Sequence, residues 1–406
     1  MTDGREVVIA RLGAQGDGIA DGEGEPTFVP FALPGERWRL DGDAQIVERS
    51  PDRVEPICRH FTRCGGCTAQ HMSAALYASW KTAILRQAFA SRGIKPPLES
   101  MRRVEARSRR RAFFGVAAKG RQIVIGFREE GQHVLVDLDE CPVLDPAIVA
   151  ALPRLREMAG LLLKGDTSGR LTVTKLDAGL DVDFEVGRKV IGPELAAALA
   201  HHAEGAHLVR LSVDGDAIAM RSSPRLTLGG VGVEPPAGIF LQAVPEAERL
   251  MTELILAALP RKVKRIADLF CGVGTFTFAL ARHAEVLAVD GDKRAVECLA
   301  YAARHASGLK KVETRVRDLF REPLSRKELE GFDCVVFDPP RAGASAQAGM
   351  IAKSKVPVAI AVSCSAATLA RDCRTLLDGG YRLSKVTPVD QFLFTPHVEA
   401  VAVLTR

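Results

Sequence analysis

The sequence predicts a multidomain α/β protein, and three observations carry that prediction: the length of the chain, a change of pattern near residue 238, and a cysteine cluster ahead of an arginine run. At 406 residues the chain exceeds one ordinary core, and 47% hydrophobic residues supply material for two or three. Beyond about Gly238, apolar strands alternate with amphipathic helices, as in RIADLF, AEVLAVD, FDCVVFD and VPVAIAVSC. That alternation is the mark of βαβ units in a largely parallel, Rossmann-like sheet.

The elements follow in chain order. Residues 1 to about 50 alternate apolar and polar positions broken by Gly and Pro, which predicts short strands and tight turns in a small β-barrel. Cys58, Cys64 and Cys67 then fall within ten residues, ICRHFTRCGGC. Nothing at the start, MTDGREVVIA, has the basic and apolar regions of a signal peptide, so a cytoplasmic protein is expected. In that compartment clustered thiols suggest metal or catalysis rather than disulfides. HMSAALYASWKTAILRQAFASRGI has apolar residues at helical spacing and ends at Gly93, predicting a helix of five to six turns. MRRVEARSRRR carries six arginines and one acid, which suits a phosphate backbone as well as an ordinary solvated face. Net charge is +5, and no apolar run is long enough to span a bilayer. From about Arg110 to Arg225 strand-like and helical runs mix, an α+β pattern.

RIADLFCGVGTF leads from a strand into Gly272 and Gly274 and then a helix expected near Thr275. Glycine is needed where backbone passes close to a ligand, and the helix N-terminus offers free N–H groups. Asp290, some twenty residues on, stands where a carboxylate can accept from ribose hydroxyls. A dinucleotide site would share this layout. The missing third Gly and the acid inside the strand, Asp268, favour a site for S-adenosylmethionine. Asp318 follows the third strand, where it can reach an adenine edge, and Asp338 in FDPPRAG ends the fourth, in the crevice where open α/β sheets bind ligands.

VPVAIAVSC delivers Cys364 to the same edge, followed by a helix with Ser365 as its cap. A thiol at a helix N-terminus is expected to have a lowered pKa, the setting of a nucleophile. Cys271, Cys298, Cys334 and Cys373 read instead as small buried hydrophobes. A thiolate is useful for methylating uracil, because its addition at carbon 6 makes carbon 5 nucleophilic. A base must then remove the carbon 5 proton. Glu399 in TPHVEAVAVL is the candidate, provided it is buried rather than on the outer face of its strand.

With these motifs assembled, the chain resembles the RNA 5-methyluridine methyltransferases, in the branch that acts on 23S ribosomal RNA and carries an N-terminal TRAM domain and a 4Fe-4S cluster. GDGIA and FVPFALPGE resemble the TRAM, an OB-like RNA-binding barrel, and DLFCGVGTF, FDPPRAG, SCSAATLARD and DQFLFTPHVE resemble the catalytic motifs in their order. The resemblance spans essentially the whole chain. It implies an OB-like barrel over 1–52, a central RNA-binding α+β domain with the iron-sulfur site over 53–237, and a class I methyltransferase domain over 238–406, with the helix near 70–94 folded back on the last. It implies Cys364 as nucleophile, Glu399 as base, and Gln242, Phe270, Gly272, Gly274, Thr275, Asp290, Asp318 and Asp338 around S-adenosylmethionine and the uracil. It also implies Cys58, Cys64, Cys67 and Cys141 as cluster ligands. Without the resemblance, zinc is the commoner occupant of four-cysteine sites.

Departures from the pattern are Val244 for Asn, Thr275 often for Asn, Asp290 for Glu, and Ser365 and Ala366 where Asn and Pro are usual. The expected partner is RNA, 23S ribosomal or transfer RNA, with no membrane, no obligate protein partner and a monomer. Alternatives are an amino-directed methyltransferase using DPPR, and an inactive RNA-binding factor.

Overall fold

The structure is a computed structural model that describes residues 5–22, 24–41, 44–187 and 191–406; residues 1–4, which open the domain expected over 1–52, lie outside the described residues. Residues 5–48 build two three-stranded antiparallel sheets, one from Glu6–Val8, Arg37–Arg39 and Gln45–Glu48, the other from Arg11–Leu12, Gly18–Ala20 and Thr27–Val29. Val7, Ile9, Ala20, Val29, Ala32 and Trp38 fill the space between them. Buried Glu36 accepts from Arg53 (Nε to Oε1 2.5 Å), so this buried charge is paired.

The central part is a seven-stranded sheet in the order Leu135–Asp137, Gln122–Arg128, Arg111–Lys119, Ser168–Leu176, Gly179–Glu185, Leu208–Val213 and Asp216–Met220. All neighbours are antiparallel except Gly179–Glu185 with Leu208–Val213, whose parallel pairing needs the crossover helix Pro193–Gly205 between them. That helix and Pro146–Leu162 bring Leu199, Leu152, Leu155 and Met158 onto one face of the sheet.

The third unit is an eight-stranded sheet of β1 (Arg102–Arg103), β2 (Arg265–Leu269), β3 (Glu285–Asp290), β4 (Val312–Val316), β5 (Cys334–Phe337), β6 (Val358–Ser363), β7 (Arg382–Asp390) and β8 (Glu399–Thr405), ordered β4-β3-β2-β5-β6-β8-β7-β1. Its inner strands are apolar on both faces, as a sheet covered by helices on both sides requires. Alternate residues feed two cores. Ile266, Val286, Ala288, Val336 and Ile360 join one with Met251, Ile255 and Leu299. Ala267, Leu269, Leu287, Val335, Phe337 and Ala361 join the other with Leu369 and Leu376. The second core also takes Leu85, Phe89 and Ile94 from the helix Ala74–Ala90 and the turn beyond it, each worth about 1.5–3 kcal/mol in burial. Ser73 caps this helix by accepting from the Leu76 N–H. The order reverses between β2 and β5, so both strands point their carboxyl ends into the crevice where a ligand binds.

Candidate active site

Phe270 (φ +60°), Gly272 (φ +54°) and Gly274 (φ +101°) turn the chain sharply after β2. At Gly274 an added Cβ would lie 2.4 Å from the Phe278 ring, whereas at Gly272 it would meet nothing within 4 Å. The first glycine therefore keeps open space, and the second is demanded by packing. Asp290, at the end of β3, accepts from the N–H groups of Gly272 (2.9 Å) and Asp292 (2.8 Å) and so ties the two loops together. The helix starts at Thr277, two residues later than expected, and is only five residues long. The Thr277 hydroxyl donates to Asp268 (2.5 Å), whose carboxyl is buried and pushed up to about 7, mainly by burial. The acid inside the strand is thus a strut beneath the loop and does not line the cavity.

A cavity of about 470 Å³ opens at the carboxyl ends of β2, β3, β5 and β6. Its wall contains Gln242, Phe270, Gly272, Thr275, Asp290, Asp318, Asp338, Cys364 and Glu399; of the residues expected here, only Gly274 lies behind it. The volume suits a cofactor-sized ligand. Asp318 is itself held by the Phe320 N–H (2.9 Å), and Phe320 packs near Phe270 with ring centroids 5.4 Å apart. Arg111, which the sequence placed in the arginine run, also lines the cavity with Phe113, Phe240 and Arg341.

Ser365 caps the helix Ala366–Asp378 by accepting from the Thr368 N–H, as expected. The expected lowering of the Cys364 pKa is reversed. Burial, then the carboxyls of Glu399 and Asp338, push the thiol up to about 11, against only a modest opposing pull from Arg341. A helix terminus contributes partial charge, and two nearby carboxyls outweigh it. Glu399 is buried at 3% exposure, which excludes the outer face of its strand. Burial first, and Asp338 second, hold its carboxyl well above the usual range; burial does the same to Asp338. Two buried carboxyls sharing a cavity resist double ionisation, which suits proton transfer near neutrality.

An amide relay joins them. Gln242 Nε2 donates to Asp338 (2.9 Å), and Gln391 Nε2 donates both to Gln242 Oε1 (3.1 Å) and to Glu399 Oε2 (2.7 Å). Gln391 was not singled out from the sequence. Its signal is only its place in DQFLFTPHVE, eight residues before Glu399, and the register Val389–Glu399 across β7 and β8 is what brings it near.

The arginine run is divided between interior and surface. Arg110 is buried against Glu248 (2.6 Å) and the Gln242 carbonyl (2.9 Å), and Arg103 packs over the rings of Tyr77 and Phe394. Arg102, Arg103 and Arg107 stay exposed. Cys58, Cys64, Cys67 and Cys141 are free thiols within electrostatic reach of one another, and burial raises each of them, Cys67 up to about 12. Arg109 lies within reach of Cys67 and Cys141. Among the described residues, no group of three or more His, Cys, Asp or Glu side chains is arranged to hold a metal ion, and no helix is long and apolar enough to cross a membrane.

Comparison with known proteins identifies the family. The family model described as tRNA (Uracil-5-)-methyltransferase matches residues 234–406. An uncharacterized RNA methyltransferase of Rhizobium meliloti (strain 1021) is 43% identical over 98% of this chain and 99% of its own. The chain belongs to the RNA uracil-5-methyltransferase family. It is therefore an S-adenosylmethionine-dependent RNA methyltransferase. The enzyme is also 34% identical, over 98% of its length and 89% of the relative's, to the 23S rRNA (uracil(1939)-C(5))-methyltransferase of Halomonas elongata. Its fold matches the crystal structure of the Pyrococcus abyssi tRNA (uracil-54, C5)-methyltransferase in complex with S-adenosyl-L-homocysteine, with TM-score 0.77, 24% identity, and 98% and 99% of the two chains covered.

Proposed function

We propose that the enzyme methylates carbon 5 of one uridine in 23S ribosomal RNA through a covalent Cys364–uracil adduct that Glu399 resolves. The carrying observation is that Cys364 and Glu399 open into the same cavity as the glycine loop. S-adenosylmethionine supplies an electrophilic methyl group. Gly272 leaves the room for its close approach, Asp290 and Asp318 offer carboxylates to its ribose and adenine, and Phe270 and Thr275 complete the wall. Gln242 and Asp338 face the uracil.

Cys364 attacks carbon 6 as the thiolate, its proton having been released to solvent. The new sulfur–carbon bond shifts the carbon 5–carbon 6 π pair toward carbon 5, which takes the methyl group. Glu399 then accepts the carbon 5 proton, the π bond re-forms, and the thiolate leaves. Gln391 keeps the Glu399 carboxylate oriented by its donated hydrogen bond. The target base must be turned out of its stack to reach the cavity.

Cys58, Cys64, Cys67 and Cys141 would hold a 4Fe-4S cluster. The four thiols lie within electrostatic reach of one another, and a metal that binds them must offset the burial that disfavours the thiolate. Zinc is the commoner occupant of four-cysteine sites, and the family resemblance alone favours the cluster here. The small N-terminal sheets act as an OB-like TRAM barrel that grips RNA. The target assignment rests on the Halomonas elongata relative. Its test is 5-methyluridine mapping, by nuclease fragments and mass spectrometry, in 23S and transfer RNA from a strain lacking this gene. Loss at one 23S site is the expected result; loss in transfer RNA keeps the chemistry and overturns the substrate, and no loss overturns both.

A further inference from the structure

The helix Ala74–Ala90 carries a lysine that none of the chemistry above uses. Lys81 is fully buried, and a lysine in that position is rare unless every donor is satisfied. Its ammonium donates to Asp390 Oδ1 (2.8 Å), to the Phe392 carbonyl (3.1 Å) and to the His397 carbonyl. All three partners belong to one short stretch, the connection from the end of β7 into β8. Tyr77, one helical turn earlier on the same face, donates to Asp390 Oδ2 (2.7 Å) and accepts from the Phe394 N–H (2.9 Å). From just after the cysteine loop, the Thr68 and Ala69 N–H groups donate to the Phe394 carbonyl (2.7 and 3.2 Å). Phe394 itself sits at φ +60°, a left-handed conformation that an aromatic residue keeps only when its surroundings fix it.

The two ends of this anchored connection are the positions that matter. Gln391 follows Asp390 directly, and Glu399 lies two residues beyond His397. We propose that Lys81 is a positioning residue for the base, pinning both ends of the 390–397 connection so that Gln391 and Glu399 keep their places in the cavity. The inference rests on Glu399 being the base. A buried ion pair is weak evidence for stability, since apolar side chains of similar size do as well, and a register-fixing role is its best-attested use. Cys364 hangs from β6 and the glycine loop from β2, neither of which touches the Lys81 ammonium. Loosening the connection should therefore slow proton removal most, with thiol attack and methyl transfer affected only through the Gln391–Gln242 bond.

That predicts a particular failure. Without proton removal the adduct cannot eliminate, so methylated RNA stays bonded to Cys364. The experiment mixes wild-type, Lys81→Met, Lys81→Met/Asp390→Asn and Glu399→Gln proteins with unmethylated RNA from a strain lacking the gene and methyl-labelled S-adenosylmethionine. The share of label in a denaturant-stable protein–RNA adduct is compared with that in free RNA. Binding of S-adenosylmethionine and circular dichroism report the fold, and the double variant, with no unpaired buried charge, serves if the single one does not fold. The expected result is label accumulating in the adduct for Glu399→Gln and for the Lys81 variants, with turnover in the latter down about 100-fold and cofactor affinity within about twofold. Accumulation in Glu399→Gln but not in either Lys81 variant overturns the inference alone. If Glu399→Gln itself releases its RNA normally, the assignment of the base fails first, and the role of Lys81 falls with it.

Discussion

Replacing Gln391 by Leu removes the side-chain amide that donates to Glu399 while keeping the volume of a buried residue. A hydrogen bond to a charged group contributes about 1.5–3 kcal/mol, and one pKa unit corresponds to about 1.4 kcal/mol, so the Glu399 pKa should rise by about 1–2 units. The direction is fixed by the role. In the proposed mechanism Glu399 works as the carboxylate; burial and Asp338 already hold its pKa above the usual range, and Gln391 opposes them. Losing Gln391 moves the acid limb of the elimination rate to higher pH. At a fixed pH below the limb, the rate falls about 10- to 100-fold. Gln242 Oε1 loses its donor in the same variant, so thermal stability should fall by about 1–3 kcal/mol. Rapid-quench single turnover, following release of methyl-labelled RNA from the adduct across pH, reads the limb directly. A limb that stays in place or moves down would refute the relay, whatever happens to the overall rate.

The other expectations concern the loop, the strut and the thiols. Gly274→Ala forces a Cβ against the Phe278 ring and should destabilise by about 3 kcal/mol or more, whereas Gly272→Ala should cost about 1 kcal/mol in the fold yet weaken cofactor binding; melting curves and calorimetric titration separate the two. Asp268 titrates near 7 when folded against 3.8 as its ordinary value, so the stability it provides is full below about pH 4 and declines by up to about 4 kcal/mol as the pH rises through 7. Asp268→Asn, which can still accept from Thr277, should flatten that decline in denaturant titrations. Wild-type protein purified without oxygen should carry about four irons and four sulfides per chain and no zinc, and Cys141→Ser should lose them; about one zinc instead would replace the cluster reading.

Much of the catalytic unit was legible because its strands must be apolar and its loops must break. The parallel sheet declares itself in RIADLF and VPVAIAVSC, and the carboxyl ends of those strands mark where Asp290, Asp338 and Cys364 converge. What the local sequence could not carry is burial contributed from elsewhere. A helix cap after Cys364 predicts a lowered thiol pKa, but burial first, and then Glu399 and Asp338 from elsewhere in the sheet, reverse it. Asp268 marks the cofactor motif by its place in the chain, and only the packed loop shows it facing Thr277. The arginine run reads as a uniform patch, yet Arg110 and Arg111 are spent inside by partners more than a hundred residues away. Gln391 and Lys81 are brought to their partners by the pairing of β7 with β8 and by a helix some 300 residues away, which no window of sequence displays.

The central claim, a covalent bond between Cys364 and the target uracil, is tested most directly with RNA in which uridine is replaced by 5-fluorouridine, since fluorine at carbon 5 cannot be removed as a proton. In the presence of S-adenosylmethionine the account predicts an RNA adduct that survives denaturation, maps by peptide mass spectrometry to Cys364, and is absent in Cys364→Ala. No adduct, an adduct on another residue, or full methylation by Cys364→Ala on ordinary RNA would contradict it.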